Sequence, residues 1–319
     1  MSNDKKNIAA SVRQRLLDKS RKDNRPFSEL LQYFTMERFL FRLADSPHID
    51  KFILKGALML WVWQSPMIRA TMDIDMLASY TSNDIEQVLA LIREICVIST
   101  EDDGLQFDLD SIKGEHITED ADYKGVRVRF VAWLDKAVVN MQIDIGFGDI
   151  VVPGPRKAEL PAMLDFKSPE IMCYSLESTI AEKFETMVKL GELNSRMKDF
   201  YDIWLLSRQF NFDGTLLQTA ITKTMNNRGT TLPLDISAFS DEFIQIKSPQ
   251  WKAFINKLKQ EIIPKDFMNI VHQIEIFLLP IVNAINSGKH LAFSWTAPGP
   301  WQAISGIGSH GRERGRLSG

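Results

Sequence analysis

The chain has 319 residues, of which 45% are hydrophobic and 25% are charged, and its formal net charge is −3. This is the composition of a folded globular protein with one large or two smaller domains, and it excludes an intrinsically disordered chain. The longest uninterrupted apolar run, Ala57 to Trp63, is far shorter than the roughly 18 residues that a membrane span needs. The polar start predicts no secretory signal, and the two cysteines, Cys96 and Cys173, are too few for a disulfide framework. We therefore expect a cytoplasmic protein that does not associate with membranes.

The first half of the chain mixes helical and strand patterns. Apolar residues at three- and four-residue steps, such as Leu30, Leu31 and Phe34, predict helices. Alternation of apolar and polar residues, as in V-R-V-R-F at 126–130, predicts strands. In chain order, these patterns predict helices at 7–24, 27–45, 57–64 and 83–98, and strands at 51–54, 71–77, 126–132 and 138–145.

The second half is predicted to be helical. Prolines between positions 153 and 169 indicate a linker. The segments after it have helical periodicity, at 175–190, 197–209, 239–260 and 265–286, with a polar loop at 226–236. The fold class predicted is α+β, with a core and N-terminal helices at 1–165, a helical domain at 166–296 and a flexible tail at 297–319.

Two aspartates two positions apart, Asp73 and Asp75, lie in a predicted strand. Residues i and i+2 of a strand face the same side, so both carboxylates project together, away from Met72, Ile74 and Met76. Two carboxylates this close repel each other unless a cation lies between them, and Mg²⁺ prefers such oxygen ligands. The pair therefore indicates a magnesium site, and the alternative is an edge strand with two solvated aspartates.

A third aspartate, Asp144, lies in the middle of a later predicted strand, on the face opposite Met141, Ile143 and Ile145. A third carboxylate completes the ligand set of a two-ion phosphoryl-transfer site, where it binds the second ion or takes the proton of the attacking hydroxyl. The alternative is a solvated residue on an exposed face. Asp149 has the pattern of an ordinary turn residue.

The segment Lys55-Gly56-Ala57 joins a predicted strand to a predicted helix. Gly56 allows the backbone to approach a phosphate, and the free N–H groups at the start of a helix can bind it. Lys55 is expected to neutralise phosphate charge or to be solvated.

Basic side chains are concentrated in two segments although the net charge is negative. One interpretation is that they lie on a solvated helix face and a flexible chain end, and the other is that they contact nucleic-acid phosphates. The residues are Arg13, Arg15, Lys19, Arg21, Lys22 and Arg25 near the start, and Arg312, Arg314 and Arg316 in the tail.

Five motifs occur in the order typical of one known family. They are L-K-G-A-L-M-L at 54–60, R-A-T-M-D-I-D at 69–75, M-Q-I-D-I-G at 141–146, A-E-K-F-E-T-M-V at 181–188 and N-S-R-M-K-D-F-Y-D-I at 194–203. Over roughly residues 25–210, the chain resembles the AbiEii-type nucleotidyltransferase toxins, which include the MenT toxins. The resemblance implies a polymerase-β-like nucleotidyltransferase core with a mixed sheet, followed by a helical C-terminal domain.

The resemblance also implies an activity and its partners. Such an enzyme uses Mg²⁺, in a site that favours two ions, to transfer a nucleotidyl group from a nucleoside triphosphate to an RNA acceptor. In this family the acceptors include the 3′ end of tRNA, whose modification blocks translation. Members are the toxin half of a toxin–antitoxin or phage-defence pair, so a cognate AbiEi-like antitoxin is expected.

Site residues follow from the matched motifs. Asp73 and Asp75 match the metal-binding pair, Gly56 matches the phosphate-loop glycine, and Lys183 and Asp199 match a later Lys and Asp that complete the catalytic set with Asp144. Asp199 is expected to orient Lys183, and the alternative is a structural ion-pair network between two helices. The expected nucleotide-binding residues are Lys55, Gly56, Ala57, Arg69, Thr71, Arg196 and Lys198.

One position departs from the family pattern, and two other functions stay open. Many members have Gly-Ser where this chain has Gly56-Ala57, so a hydroxyl that would bond a phosphate oxygen is missing. The first alternative function is a nucleotidyltransferase of the antibiotic-modifying kind, with a small hydroxylated acceptor. The second is a non-catalytic protein that binds nucleotides or a partner.

Overall fold

A seven-stranded mixed sheet forms the centre of the first half of the chain. The structure is a computed structural model, and it describes residues 7–65, 69–79, 82–117, 125–258 and 262–303. The strands are β1 (Phe52–Lys55), β2 (Ile74–Ala78), β3 (Leu105–Ile117), β4 (Gly125–Leu134), β5 (Ala137–Phe147), β6 (Arg156–Glu159) and β7 (Glu170–Cys173). Their order is β3-β4-β5-β2-β1-β7-β6. The pairs β2–β5 and β1–β7 are parallel, and the other pairs are antiparallel.

Helices cover one face of this sheet. They are α1 (Ile8–Asp23), α2 (Phe27–Ala44) and α4 (Ile85–Cys96), while the short α3 (Met59–Val62) follows a 3-10 turn after β1. Alternation along β4 buries Val126, Val128 and Phe130 against them. The ring of Phe39 on α2 lies 5.8 Å from that of Phe130. This alternation leaves the odd-numbered residues of β4 on the opposite face.

The second half is mainly helical. Its helices are α5 (Leu176–Leu190), α6 (Met197–Gln209), α7 (Gly214–Asn227), α8 (Asp241–Leu258) and α9 (Phe267–Asn286). A small antiparallel sheet joins β8 (Phe212–Asp213), β9 (Phe293–Trp295) and β10 (Trp301–Ala303). A second hydrophobic cluster is formed by these helices, in which Phe200 packs 5.2 Å from Phe267. The mixed sheet followed by helices confirms the predicted α+β class.

Several predicted elements differ from the structure. The strand predicted at 71–77 begins at Ile74, and Met72, which was expected to lie within that strand, precedes it and is 57% exposed. The predicted linker contains β6 and is directly followed by β7, and neither strand was predicted. The helix α7 was not predicted because its polar Gln, Thr, Lys and Asn residues weaken its apolar pattern. β3 was not predicted because its aspartates disfavour strands.

The predicted tail is partly structured. Residues 301–303 form β10, because the Trp301 ring stacks 5.7 Å from Phe277 on α9. The rest of the tail, with Arg312, Arg314 and Arg316, lies outside the described residues. The domain boundaries at 165 and 296 stay a prediction.

By length and composition alone, α9 is long and apolar enough to cross a membrane. Its apolar face packs on α6, α7 and α8. This burial is the pattern of a core helix, since a helix that is apolar enough to span a membrane also fits the interior of a large protein.

Candidate active site

Three carboxylates meet at the centre of the sheet. Asp75 on β2 lies opposite Asp144 on the parallel strand β5, and Asp73 immediately precedes β2. One ligand atom from each lies within 4.8 Å of the other two. We call Asp73, Asp75 and Asp144 the acidic cluster. Adjacent strands in parallel register produce this geometry, because residues at the same level face the same side of the sheet.

The acidic cluster fits a divalent cation. Burial, followed by repulsion from Asp73, raises the pKa of Asp75 to about 6, and repulsion from Asp144 adds to the effect. Lys55 and Lys198 act in the opposite direction without offsetting it. A cation among three oxygen ligands removes this repulsion, and carboxylate oxygens are the ligands that Mg²⁺ prefers. The three residues could therefore hold such an ion.

The predicted phosphate loop lies directly against the acidic cluster. Gly56 has a φ of +75°, and a Cβ atom added there would overlap the Asp75 carboxylate. A side chain at position 56 would therefore be strained and would displace Asp75. Ala57, which follows, is buried. Thr71 lies beside Asp73, and its Oγ1 donates a hydrogen bond to Asp73 Oδ1 at 2.5 Å.

Lys55 points into a different group of charges. Its Nζ lies 3.1 Å from Asp149 Oδ2 and 2.9 Å from Glu182 Oε2. Arg228 contacts Asp149 at 2.9 Å and Glu185 at 2.8 Å. Burial alone would raise the pKa of Asp149, but Lys55 and Arg228 lower it to about 2. The prediction that Asp149 is an ordinary turn residue is therefore wrong, because its carboxylate is buried between two cations.

Lys183 and Asp199 belong to a second set of charges, between α5 and α6. Lys183 Nζ lies 2.9 Å from Asp199 Oδ1 and 2.8 Å from Asp202 Oδ2. Arg69, four residues before Asp73, pairs with both oxygens of Asp202 at 2.9 and 3.0 Å. Arg196 lies 2.7 Å from Asp199 Oδ2. We call Arg69, Lys183, Arg196, Asp199 and Asp202 the helical ion cluster.

The carboxylates of the helical ion cluster are well paired. Burial opposes ionisation, but Lys183 and Arg196 lower the pKa of Asp199. Arg69 and Lys183 likewise hold the pKa of Asp202 well below its usual range. Both carboxylates are thus ionised and bound by cations. The cluster ties the segment before β2 to the two helices, and which of its cations touches a nucleotide stays a prediction.

The remaining expected residues lie around these two clusters. Lys198, exposed at the start of α6, is close enough to Asp75 to lower the pKa of that carboxyl. Arg127, Asp202 and Arg228 were not assigned to the site from the sequence. Arg127 offered a signal, since it alternates on the polar face of a predicted strand, as Asp144 does. Arg228 offered none, because it lies in a predicted polar loop.

Basic residues between positions 13 and 25, on α1 and just after it, are largely balanced by acidic neighbours. This arrangement is typical of a solvated helix face, and it leaves the predicted contact with nucleic-acid phosphates untested. The recorded ion pairs are Arg15–Asp165, Lys19–Asp23, Arg21–Asp18 and Arg25–Glu29.

The family described as "Nucleotidyl transferase AbiEii toxin, Type IV TA system" matches residues 38–273. A crystal structure of a Helicobacter pylori protein described as a nucleotidyltransferase is similar at 14% identity and a TM-score of 0.46, covering 82% of this chain and 98% of that one. JHP933 from Helicobacter pylori is similar at 14% identity and a TM-score of 0.45, covering 81% and 97%. No curated protein matches the chain.

Proposed function

The chain belongs to the AbiEii nucleotidyltransferase toxins of type IV toxin–antitoxin systems, and on that premise we propose that it transfers nucleotides from a nucleoside triphosphate to an RNA acceptor, the 3′ end of tRNA, in a reaction that depends on Mg²⁺. The family implies an antitoxin partner. We propose that this partner is AbiEi-like and that the pair serves in phage defence in the cytoplasm.

The observation that carries this proposal is the acidic cluster and its surroundings. Three carboxylates lie within 4.8 Å of one another, beside a backbone turn at Gly56 that leaves no room for a side chain. Oxygen ligands next to a backbone turn that a phosphate can approach are what a metal-bound triphosphate requires. A solvated edge strand would not bury a carboxylate against its neighbours in this way.

Each element has a role in the proposed reaction. Asp73, Asp75 and Asp144 hold the magnesium ions, and the loop at Gly56 receives the phosphates. When bound, magnesium neutralises the charge that develops on the phosphate oxygens. The oxygen of the acceptor hydroxyl bonds to the α-phosphorus while the bond to pyrophosphate breaks, pyrophosphate leaves, and the hydroxyl proton passes to solvent water.

The cations around the cluster position the nucleotide. Lys198 on α6 lies close enough to Asp75 to lower its pKa and is proposed to contact the triphosphate. Lys183 and Arg69 are held by Asp202, so their charges lie at fixed positions beside the site. Fixed charges stabilise a developing negative charge without reorganising during the reaction.

The proposal is tested by incubating the protein with each labelled triphosphate, Mg²⁺ and bulk tRNA. Transfer of label to tRNA is expected, and Asp75→Asn should lower the rate by about a thousandfold or more, because the ion loses a charged ligand. Asp110→Asn is the matched control, since this aspartate is exposed on β3, and it should leave the rate unchanged.

The other two functions give different results in the same experiment. Transfer to small hydroxylated compounds but to no RNA would support the antibiotic-modifying alternative. Binding of triphosphate with no transfer to any acceptor would support the non-catalytic one. Either result would reject the proposed RNA acceptor.

A further inference from the structure

Arg127 is bound directly to one member of the acidic cluster. Its Nε lies 2.8 Å from Asp144 Oδ1, and its Nη2 lies 2.7 Å from Asp144 Oδ2. The guanidinium therefore engages both oxygens of the carboxylate, which is the strongest geometry for such a pair. Gln142 also donates to Asp144 Oδ2, at 3.3 Å.

The register of the sheet produces this contact. Arg127 on β4 lies opposite Asp144 on β5, and Asp144 lies opposite Asp75 on β2. Asp144 thus has a carboxylate on one side and a guanidinium on the other, all on one face of the sheet. The row continues to Glu115 on β3, which lies opposite Arg127.

Two cations therefore compete for the same carboxylate. The oxygens that Asp144 offers to a metal ion are those that the guanidinium binds. Arginine does not lose its proton in proteins, so its positive charge always repels an ion bound a few ångströms away. The Arg127 and Asp144 side chains are only 23% and 15% exposed, so solvent screens this repulsion incompletely.

We propose that Arg127 is a positioning residue that holds Asp144 and limits the affinity of the acidic cluster for a bare divalent ion. This inference rests on the proposed metal-binding role of Asp144. Arg127 acts as a built-in counter-charge that keeps Asp144 in place while no ion is present. An ion that arrives with a triphosphate brings negative charge, so it meets less repulsion than an ion that arrives alone.

Removal of the positive charge of Arg127 should change the affinity of the acidic cluster for a divalent ion. Mn²⁺ serves as the probe, and its binding is measured by calorimetry without nucleotide. Arg127→Met should bind Mn²⁺ about tenfold more tightly than the wild type, because the repulsion is gone. A purely structural role predicts weaker binding instead, since Asp144 would lose its orientation.

Arg129→Met is the matched control. Arg129 lies two residues further along the same strand and face, and it pairs with Glu115 at 2.6 Å instead of with the acidic cluster. Its removal should change Mn²⁺ binding by less than about twofold. Arg127→Lys keeps the charge and should stay within about threefold of the wild type.

Asp75→Asn separates failure of this inference from failure of the proposed site. If Asp75→Asn still binds Mn²⁺ as the wild type does, the ion binds elsewhere, and both the proposed metal site and this inference are overturned. If Asp75→Asn loses the ion while Arg127→Met binds it no more tightly than the wild type, only the role of Arg127 is overturned.

Two further measurements keep the result interpretable. Arg127→Gln is a second neutral variant, and thermal unfolding checks that each variant is folded. Equal tightening in Arg127→Lys and Arg127→Met would overturn the argument from charge. Tightening confined to the two neutral variants supports it.

Discussion

The acidic cluster and the helical ion cluster are built from similar side chains but have opposite charge balances. In the acidic cluster, carboxylates face one another, and the pKa of Asp75 is raised to about 6. In the helical ion cluster, carboxylates lie between cations, and the pKa values of Asp199 and Asp202 are lowered. In the second cluster both carboxylates are paired with cations, whereas in the first Arg127 binds Asp144 but Asp75 still lies against other carboxylates. Electrostatic imbalance of this kind is typical of functional sites.

Asp202→Asn should have the largest effect on stability. Asp202 contacts both Arg69 and Lys183, and its loss leaves two buried cations with one carboxylate fewer. Breaking a buried ion pair from one side costs about 3–5 kcal/mol. We expect the free energy of unfolding to fall by that amount, measured by urea denaturation at neutral pH.

The same chemical change in the acidic cluster is the matched control. Asp75→Asn removes one of three mutually repelling carboxylates, so with a chelator present it should raise the free energy of unfolding by about 1 kcal/mol. Changes of opposite sign in the free energy of unfolding of the two variants would support the distinction between the clusters. If Asp75→Asn loses as much free energy of unfolding as Asp202→Asn, the distinction is wrong.

Local patterns predicted the members of the acidic cluster because the face on which each carboxylate lies is set locally. Asp75 and Asp144 each lie in a strand with period-two alternation, and strand periodicity alone sets the face on which each lies. The α+β class and the helical second half were predicted from the same kind of local periodicity, whereas the family was recognised from its motifs. The register of β2 and β5, which places Asp75 opposite Asp144, is set by the pairing of the strands in the sheet, and neither strand's sequence alone specifies it.

Long-range ion pairs could not be predicted in the same way. The partners Asp149 and Arg228 are far apart in sequence and meet only because α7 packs on α5. Since α7 was not recognised, its end could not be placed beside β5. Arg127 and Asp144 lie on adjacent strands, but one residue of register shift would place them on opposite faces.

The two clusters should also differ in how acid affects stability. The pKa of Asp202 is lowered because Arg69 and Lys183 favour the ionised form over the cost of burial. The unfolded chain therefore takes up this proton first as the pH falls, so the stabilisation is present at neutral pH and is lost below about pH 4. Asp202→Asn has no such proton to take up.

The measurement is the free energy of unfolding at several pH values between neutral and about 3. The wild type should lose about 1 kcal/mol more than Asp202→Asn over this range, since the unfolded wild-type chain takes up a proton at Asp202 that the variant lacks. Parallel profiles for the two proteins would show that Asp202 is not stabilised by its cations.

A modest effect on triphosphate binding is expected at Ala57, where the proposed phosphate loop meets the acidic cluster. Ala57→Ser restores the hydroxyl of the Gly-Ser pattern, one residue after the turn that contacts Asp75. One hydrogen bond to a charged phosphate oxygen contributes about 1.5 kcal/mol, so triphosphate should bind about tenfold more tightly. Calorimetric titration with triphosphate checks this, with Ala78→Ser as the control because that alanine is buried at the end of β2. An unchanged affinity would mean that backbone N–H groups alone hold the phosphates, and the loop would then act through its shape, which Gly56 already provides.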